Sequence, residues 1–166
     1  MRKQARSARL ICLVLLGVMM PGLSAFAELS VSKLFGDGMV LQRDKPVKVW
    51  GWADPGEVVA VSFADQTAEA KADADGKWVA ALKPMKASYE PGILNVAGRS
   101  ETLTLKDVHV GEVWLCGGQS NMSWSVNGML DADMEIASAN SPAIRFLRLD
   151  LVASHELQKD VPLKEG

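Results

Sequence analysis

Between Leu29 and about Asp107 the apolar residues come in short runs, spaced roughly ten residues apart and divided by turn chemistry. Pro46 to Trp52 sets Val47, Val49, Trp50 and Trp52 among small or charged residues. Asp54-Pro55-Gly56 then supplies a turn, with proline fixing φ and glycine free to take the left-handed conformation. Glu57 to Phe63 reads as the next strand, and Thr67 to Asp73 as one with a solvated face. Asp75-Gly76 leads into Lys77 to Leu82, which the pattern predicts as a hairpin partner. Tyr89-Glu90-Pro91-Gly92 reads as a turn ahead of Ile93 to Val96, and Glu101 to Leu105 closes the series. No helical period competes, so about six or seven strands in this stretch predict a small all-β sandwich.

The pattern changes near Asp107. Val108 to Cys116 is almost continuously apolar, which predicts a buried parallel strand rather than a half-exposed one. Leu130 to Ala139 supports a helix, with Asp131, Asp133 and Glu135 near its start, where a helix dipole favours negative charge. Pro142 ends it, and Ala143 to Leu149 alternates as a further strand. Strand, turn, helix and strand in that order predict the beginning of an α/β sandwich. Two such strands alone leave both sheet faces uncovered, so the chain is expected to be the truncated N-terminal part of a longer enzyme.

Residues 1–27 are expected to form a signal peptide. Arg2, Lys3, Arg6 and Arg9 make a basic start, Leu10 to Met20 an apolar stretch, and Ala25-Phe26-Ala27 the small residues before a cleavage point. The apolar stretch is shorter than the roughly 20 residues that span a bilayer, so export to the periplasm or extracellular space is expected, without stable membrane insertion. The division is therefore 1–27 signal peptide, 28–107 β-sandwich, and 108–166 incomplete hydrolase domain.

Composition narrows the chemistry. Four of the 18 basic residues and none of the 20 acidic ones lie in 1–27, which leaves residues 28–166 at a formal charge of −6. That sign argues against nucleic acid as a partner. Cys116 is the single cysteine after residue 27, so no internal disulfide is expected there, and its apolar context predicts a buried, inert thiol. With two histidines and that one thiol no metal cluster is expected, and no cofactor. Asp73 and Asp75 read as a turn rather than a calcium loop. The tryptophans of the β region fit core packing, with a sugar-stacking platform as the alternative.

The candidate chemistry lies at Gly117-Gly118-Gln119-Ser120-Asn121-Met122. Two glycines after an apolar run let the backbone bend sharply and present Ser120 at the start of a helix. An amide there can stabilise an oxyanion, so the geometry suits a nucleophilic serine. It suits an ordinary serine N-cap equally well.

Gly118 to Met122, entered from Val113-Trp114-Leu115-Cys116, resembles the nucleophile block of the sialate O-acetylesterase family, within the SGNH hydrolases. Leu34-Phe35-Gly36-Asp37-Gly38-Met39-Val40-Leu41-Gln42-Arg43 and Val49-Trp50-Gly51-Trp52-Ala53-Asp54-Pro55-Gly56 resemble its upstream motifs, in the same order. The resemblance implies an SGNH-type α/β/α domain after the sandwich. It implies Ser120 as nucleophile with its backbone amide in the oxyanion hole, supported by Gly118, Gln119 and Asn121, and an O-acetylated carbohydrate as substrate. It also implies a catalytic Asp-x-x-His pair far downstream, which is not present in this chain. Gln119 stands where the superfamily more often has an acidic residue, so no carboxylate role carries over to it. His109 lies at the far end of the expected strand from Ser120, and His155 reads as a solvated loop residue. The 166 residues alone are therefore expected to be inactive. Two other functions remain open: an exported β-sandwich carbohydrate-binding module with a non-catalytic extension, and an acetylxylan-type polysaccharide esterase.

Overall fold

The computed structural model describes residues 27–150 and 152–163, so the expected signal peptide lies outside the described residues except for Ala27. Eight strands form two sheets. The smaller contains β1 (Ser30–Val31), β3 (Val47–Trp52) and β6 (Lys77–Leu82) in the order β1-β3-β6, all antiparallel. The larger contains β2 (Val40–Gln42), β4 (Val58–Phe63), β5 (Gln66–Lys71), β7 (Ser88–Ala97) and β8 (Thr102–Gly111). Its order is β2-β8-β7-β4-β5, antiparallel except for the parallel pair of β2 and β8.

Alternation along each strand builds one apolar core from both sheets. β3 buries Val47 and Val49, and β6 buries Trp78, Ala80 and Leu82. From the other sheet come Val59, Val61, Phe63, Leu94, Val96, Val108 and Val110. Side chains in a strand point alternately to opposite faces, so one face of each sheet meets the other while Lys48, Lys77 and Val79 point outward. Burying each such apolar side chain is worth about 1.5–3 kcal/mol. Gly51 marks the closest approach within the smaller sheet: a Cβ there would stand 1.9 Å from the Ser30 carbonyl oxygen, so only glycine lets β1 pair.

Several expectations are corrected. Asp73 closes a tight turn, its Oδ1 accepting the N–H groups of Asp75 and Lys77 at 2.9 Å, but no hairpin follows. β5 pairs with β4 and β6 with β3, so the turn carries the chain from one sheet to the other. Tyr89-Glu90-Pro91-Gly92 is not a turn either; it lies inside β7, where the register against β8 shifts on both sides of Gly92. Such an irregularity accommodates a proline, which cannot donate to the ladder.

The stretch from Val108 to Cys116 is not one strand. Its first part, to Gly111, is the end of β8, which runs on through Asp107 from Thr102. From Glu112 onward the chain leaves the sheet: among the described residues it joins no ladder, and the Val113 N–H is taken by the Gln42 side chain instead. The helix is present as α1 (Ala132–Ser138), with Asp131 before it at φ +61°. Ala143 to Leu149 forms no strand; Leu149 makes one isolated bridge to Leu163.

Leu94→Ala, at a fully buried site, is expected to cost about 3 kcal/mol in urea denaturation. Gly51→Ala should detach β1 and lower the midpoint as well, whereas the outward-facing Lys48→Ala should stay within about 0.5 kcal/mol of the parent.

Candidate functional site

Gln42 controls the route to Ser120. From the end of β2 its Oε1 accepts the Val113 N–H at 2.9 Å, and its Nε2 donates to Glu112 Oε2 at 3.1 Å. The chain leaving β8 is thereby pinned beside β2 before it runs into Gly117-Gly118. Asp37 and Gly38 do similar work one turn earlier. Lys106 N–H donates to Asp37 Oδ1 at 2.7 Å, and Gly38 N–H donates to the Lys106 carbonyl at 2.9 Å. Phe35 packs edge-on against Trp50, with ring centroids 4.7 Å apart. The two upstream motifs are thus joined in space, and they position β8 and its exit.

Ser120 opens a short 3-10 turn, Ser120–Ser123, rather than an α-helix. Gln119 precedes it in extended conformation and makes no side-chain cap. The turn is closed by Met122 N–H to Gln119 O at 2.9 Å and Trp124 N–H to Asn121 O at 3.2 Å. Among the described residues the Ser120 N–H has no hydrogen-bond acceptor, and the serine is exposed. A four-residue turn has too few aligned peptides for a helix dipole, so the helix-start expectation is corrected; what remains is a single free N–H beside an exposed hydroxyl. Gly118 lies under Met122, where a Cβ would come within 2.9 Å of Met122 Cγ. Asn121 is exposed, and its carbonyl serves the turn. Cys116 is also exposed, which corrects the expected burial: the strand that was to carry it ends at Gly111.

Neither histidine joins this turn by a hydrogen bond among the described residues. His109, near the end of β8, is held elsewhere: its Nε2 stands 3.0 Å from both Asp107 Oδ1 and Arg145 Nη2. Arg145 also donates to Asp107 Oδ2 at 2.7 Å and to the Gly38 carbonyl at 3.1 Å. This cluster fastens the 142–149 segment to the sheet. Hydrogen bonding from Arg145, and then from His109, holds the Asp107 carboxyl below the usual carboxylate range. His155 lies exposed in an irregular segment. Farther on, Asp160 docks the chain at the other end of the motif region. Its Oδ1 accepts from the buried Ser32 hydroxyl at 2.6 Å and its Oδ2 from Lys33 N–H at 2.8 Å. Burial would raise the Asp160 pKa, but the hydrogen bonds from Ser32, Lys33 and Val161 outweigh it and lower it. Asp107 and His109, two apart on a strand, were the one sequence signal for the first cluster; nothing in the sequence pointed to Arg145 or Asp160.

Many of the large apolar residues described after Gly111 are exposed. Among them are Trp114, Leu115, Trp124, Leu130 and Phe146, Leu115 at 95% and Phe146 at 92%.

The chain is 38% identical to a novel carbohydrate acetylesterase from Xanthomonas citri, whose crystal structure superposes with a TM-score of 0.74 over 81% of this chain and 32% of that one. It is 31% identical over 134 residues to the sialate O-acetylesterase of Mus musculus, and 30% identical over 138 residues to that of Homo sapiens. The chain belongs to a sialate O-acetylesterase-like family. Each of these two alignments takes in 74% of the chain, and the chain spans about a quarter of the length of these curated relatives. No family model matches it. The mostly β-stranded architecture agrees with the carbohydrate acetylesterase neighbour.

Arg145→Ala should return the Asp107 carboxyl toward the ordinary range, read by NMR titration. A lowered carboxyl stabilises the folded contact above its unfolded pKa of about 3.9, and that contribution is lost as pH falls through the folded value. Protection of the 142–149 amides, taken relative to their intrinsic exchange rate at each pH, should therefore fall on going from pH 5 to pH 3, and in the Arg145 variant it should already be low at pH 5.

Proposed function

We propose that this chain carries the nucleophile of a carbohydrate O-acetylesterase, a serine hydrolase that removes O-acetyl groups from sialic acid or another acetylated sugar. The observation that carries the reading is the exposed Ser120 with no acceptor for its N–H among the described residues, on a short 3-10 turn in a chain of this family. Ser120 Oγ attacks the acetyl carbonyl and gives its proton to a base, and the Ser120 N–H receives the developing oxyanion; the bond to the sugar oxygen breaks, the sugar leaves as the alcohol with that proton, and water then releases acetate from the acyl-enzyme. Gly118 leaves room at the turn, Gln119 sets the extended approach, and Asn121 closes the turn through its carbonyl. The reaction as written uses no cofactor or metal.

A serine hydroxyl needs a base, and among the described residues neither His109 nor His155 is bonded to Ser120. We infer that the base comes from polypeptide outside these residues, packed on the exposed apolar side chains between Val113 and Leu157. The two sheets then form a β-sandwich domain that runs to Gly111, the end of β8, past the expected boundary at 107, and the residues after it begin an SGNH-type hydrolase domain. Residues 1–27 act as a signal peptide, which directs the protein to the periplasm or outside the cell. No helix among the described residues is long and apolar enough to cross a membrane.

A carbohydrate-binding module is the second reading, favoured by Trp50 and Trp52, which stand half-buried on the outer face of β3 rather than in the core. Acetylxylan is a further substrate for the esterase reading. In an acetate-release assay the 166-residue chain should be close to background on acetylated sialic acid and acetylated xylan. Ser120→Ala should remove about 10⁴-fold of activity wherever a base is restored by a longer chain or an added one. Strong Ser120-dependent release by the chain alone would overturn the external base. Glycan binding that survives Ser120→Ala and is lost in Trp50→Ala would favour the binding module.

A further inference from the structure

The smaller sheet has an outer face that takes no part in the apolar seam. By alternation that face carries Lys48, Trp50 and Trp52 from β3, with Lys77 and Val79 from β6. The antiparallel register sets Val79 opposite Trp50 and Lys77 opposite Trp52. Side chains directly opposed across strands begin about 4.5–5.5 Å apart, so these residues form one patch. Phe35 packs edge-on against Trp50, with ring centroids 4.7 Å apart, and steadies that end of the aromatic row. The core takes its tryptophan from elsewhere: Trp78 is fully buried, while Trp50 and Trp52 stay half-buried outside.

Charge is segregated on this face. Residues 28–166 carry a formal charge of −6, yet β1, β3 and β6 contain two lysines and no Asp or Glu. Lys48 and Lys77 are exposed, and neither side chain has an ion-pair partner among the described residues. They stand at opposite ends of the aromatic row, with Lys48 about 13 Å along the strand from Trp52. Glu28, Asp54, Asp73 and Asp75 lie beyond the strand ends, where Asp54 and Asp73 accept main-chain N–H groups. A flat indole suits the C–H face of a sugar ring, and a lysine ammonium suits a carboxylate. We propose that this face binds a carboxylate-bearing glycan, a uronic-acid polysaccharide, with sugar rings on Trp50 and Trp52 and carboxylates at Lys48 and Lys77. The inference rests on the carbohydrate-binding reading of the two tryptophans and adds the charge of the ligand; it holds with or without esterase chemistry at Ser120. An anionic membrane suits the face less well, because both indoles are half-buried in the sheet, whereas a membrane anchor projects its apolar groups into the lipid.

The test uses the whole chain at low salt. Calorimetric titration with an oligogalacturonide should show saturable binding, several-fold tighter than with a neutral cello-oligosaccharide of equal length. Raising the salt should weaken the uronide and spare the neutral sugar, because the lysines are exposed. Lys48→Ala, whose stability stays near that of the parent, should weaken the uronide several-fold and leave the neutral sugar unchanged. Trp52→Ala should weaken both by roughly tenfold. Lys71→Ala, on β5 of the other sheet, should weaken neither. Equal affinity for the two sugars, indifferent to Lys48, overturns the acidic ligand and leaves the carbohydrate-binding reading standing. Binding of neither sugar overturns both. Tighter binding to phosphatidylglycerol vesicles than to the uronide, or a dimer that Trp52→Ala dissociates, assigns the face to a membrane or to a second copy and overturns the proposal.

Discussion

One apolar seam between two sheets is the constraint on which the rest of the structure depends. Val49 and Trp78 from one sheet meet Val59, Val61, Leu94, Val96 and Val108 from the other, all with no measurable exposure. Because strand side chains alternate with period two, closing that seam fixes which residue of each pair faces outward. It also fixes where β8 ends, and so where the chain departs toward Ser120. Gln42, Asp37 and Gly38 act at that departure point, and each sits in or beside β2, which enters the larger sheet only because β8 is already in place beside it.

The β region was legible for the same reason. Val47–Trp52, Val58–Phe63 and Lys77–Leu82 alternate cleanly, and local alternation is enough when one face is buried. Which strand pairs with which was not legible. The Asp75-Gly76 turn has hairpin chemistry, yet the strands on either side join different sheets, because pairing is decided by the seam rather than by the turn. The two-residue β1 and three-residue β2 are too short to carry any period, and they were missed. Pro91 looked like a break, but an irregular register absorbs it inside β7.

Past Gly111 the limits are different. Val113 to Cys116 has the composition of a buried strand, but composition states only what a segment needs, and burial requires partners beside it. Without them Trp114, Leu115 and Cys116 lie exposed, and the alternation of Ile144 to Leu149 yields a single bridge. The elements that did form there are local ones: α1, whose hydrogen bonds are internal, and the turn at Ser120. That the chain turns at Ser120 was legible from its glycines. The clamps at Arg145 and Asp160 were not, since each joins residues more than 100 positions apart or pairs a strand with an irregular segment.

His109 shows why a histidine near a serine in sequence does not make a base. Its Nε2 lies equally close to a carboxylate, which calls for a donor, and to a guanidinium, which calls for an acceptor. One nitrogen serves only one of these roles at a time. Whichever role Nε2 takes, the ring is held beside Asp107 and Arg145, and among the described residues no hydrogen bond joins it to the turn at Ser120. Arg145 and Asp107 are joined to each other at 2.7 Å, so the cluster persists in either tautomer. The imidazole is thereby committed to holding the 142–149 segment against β8.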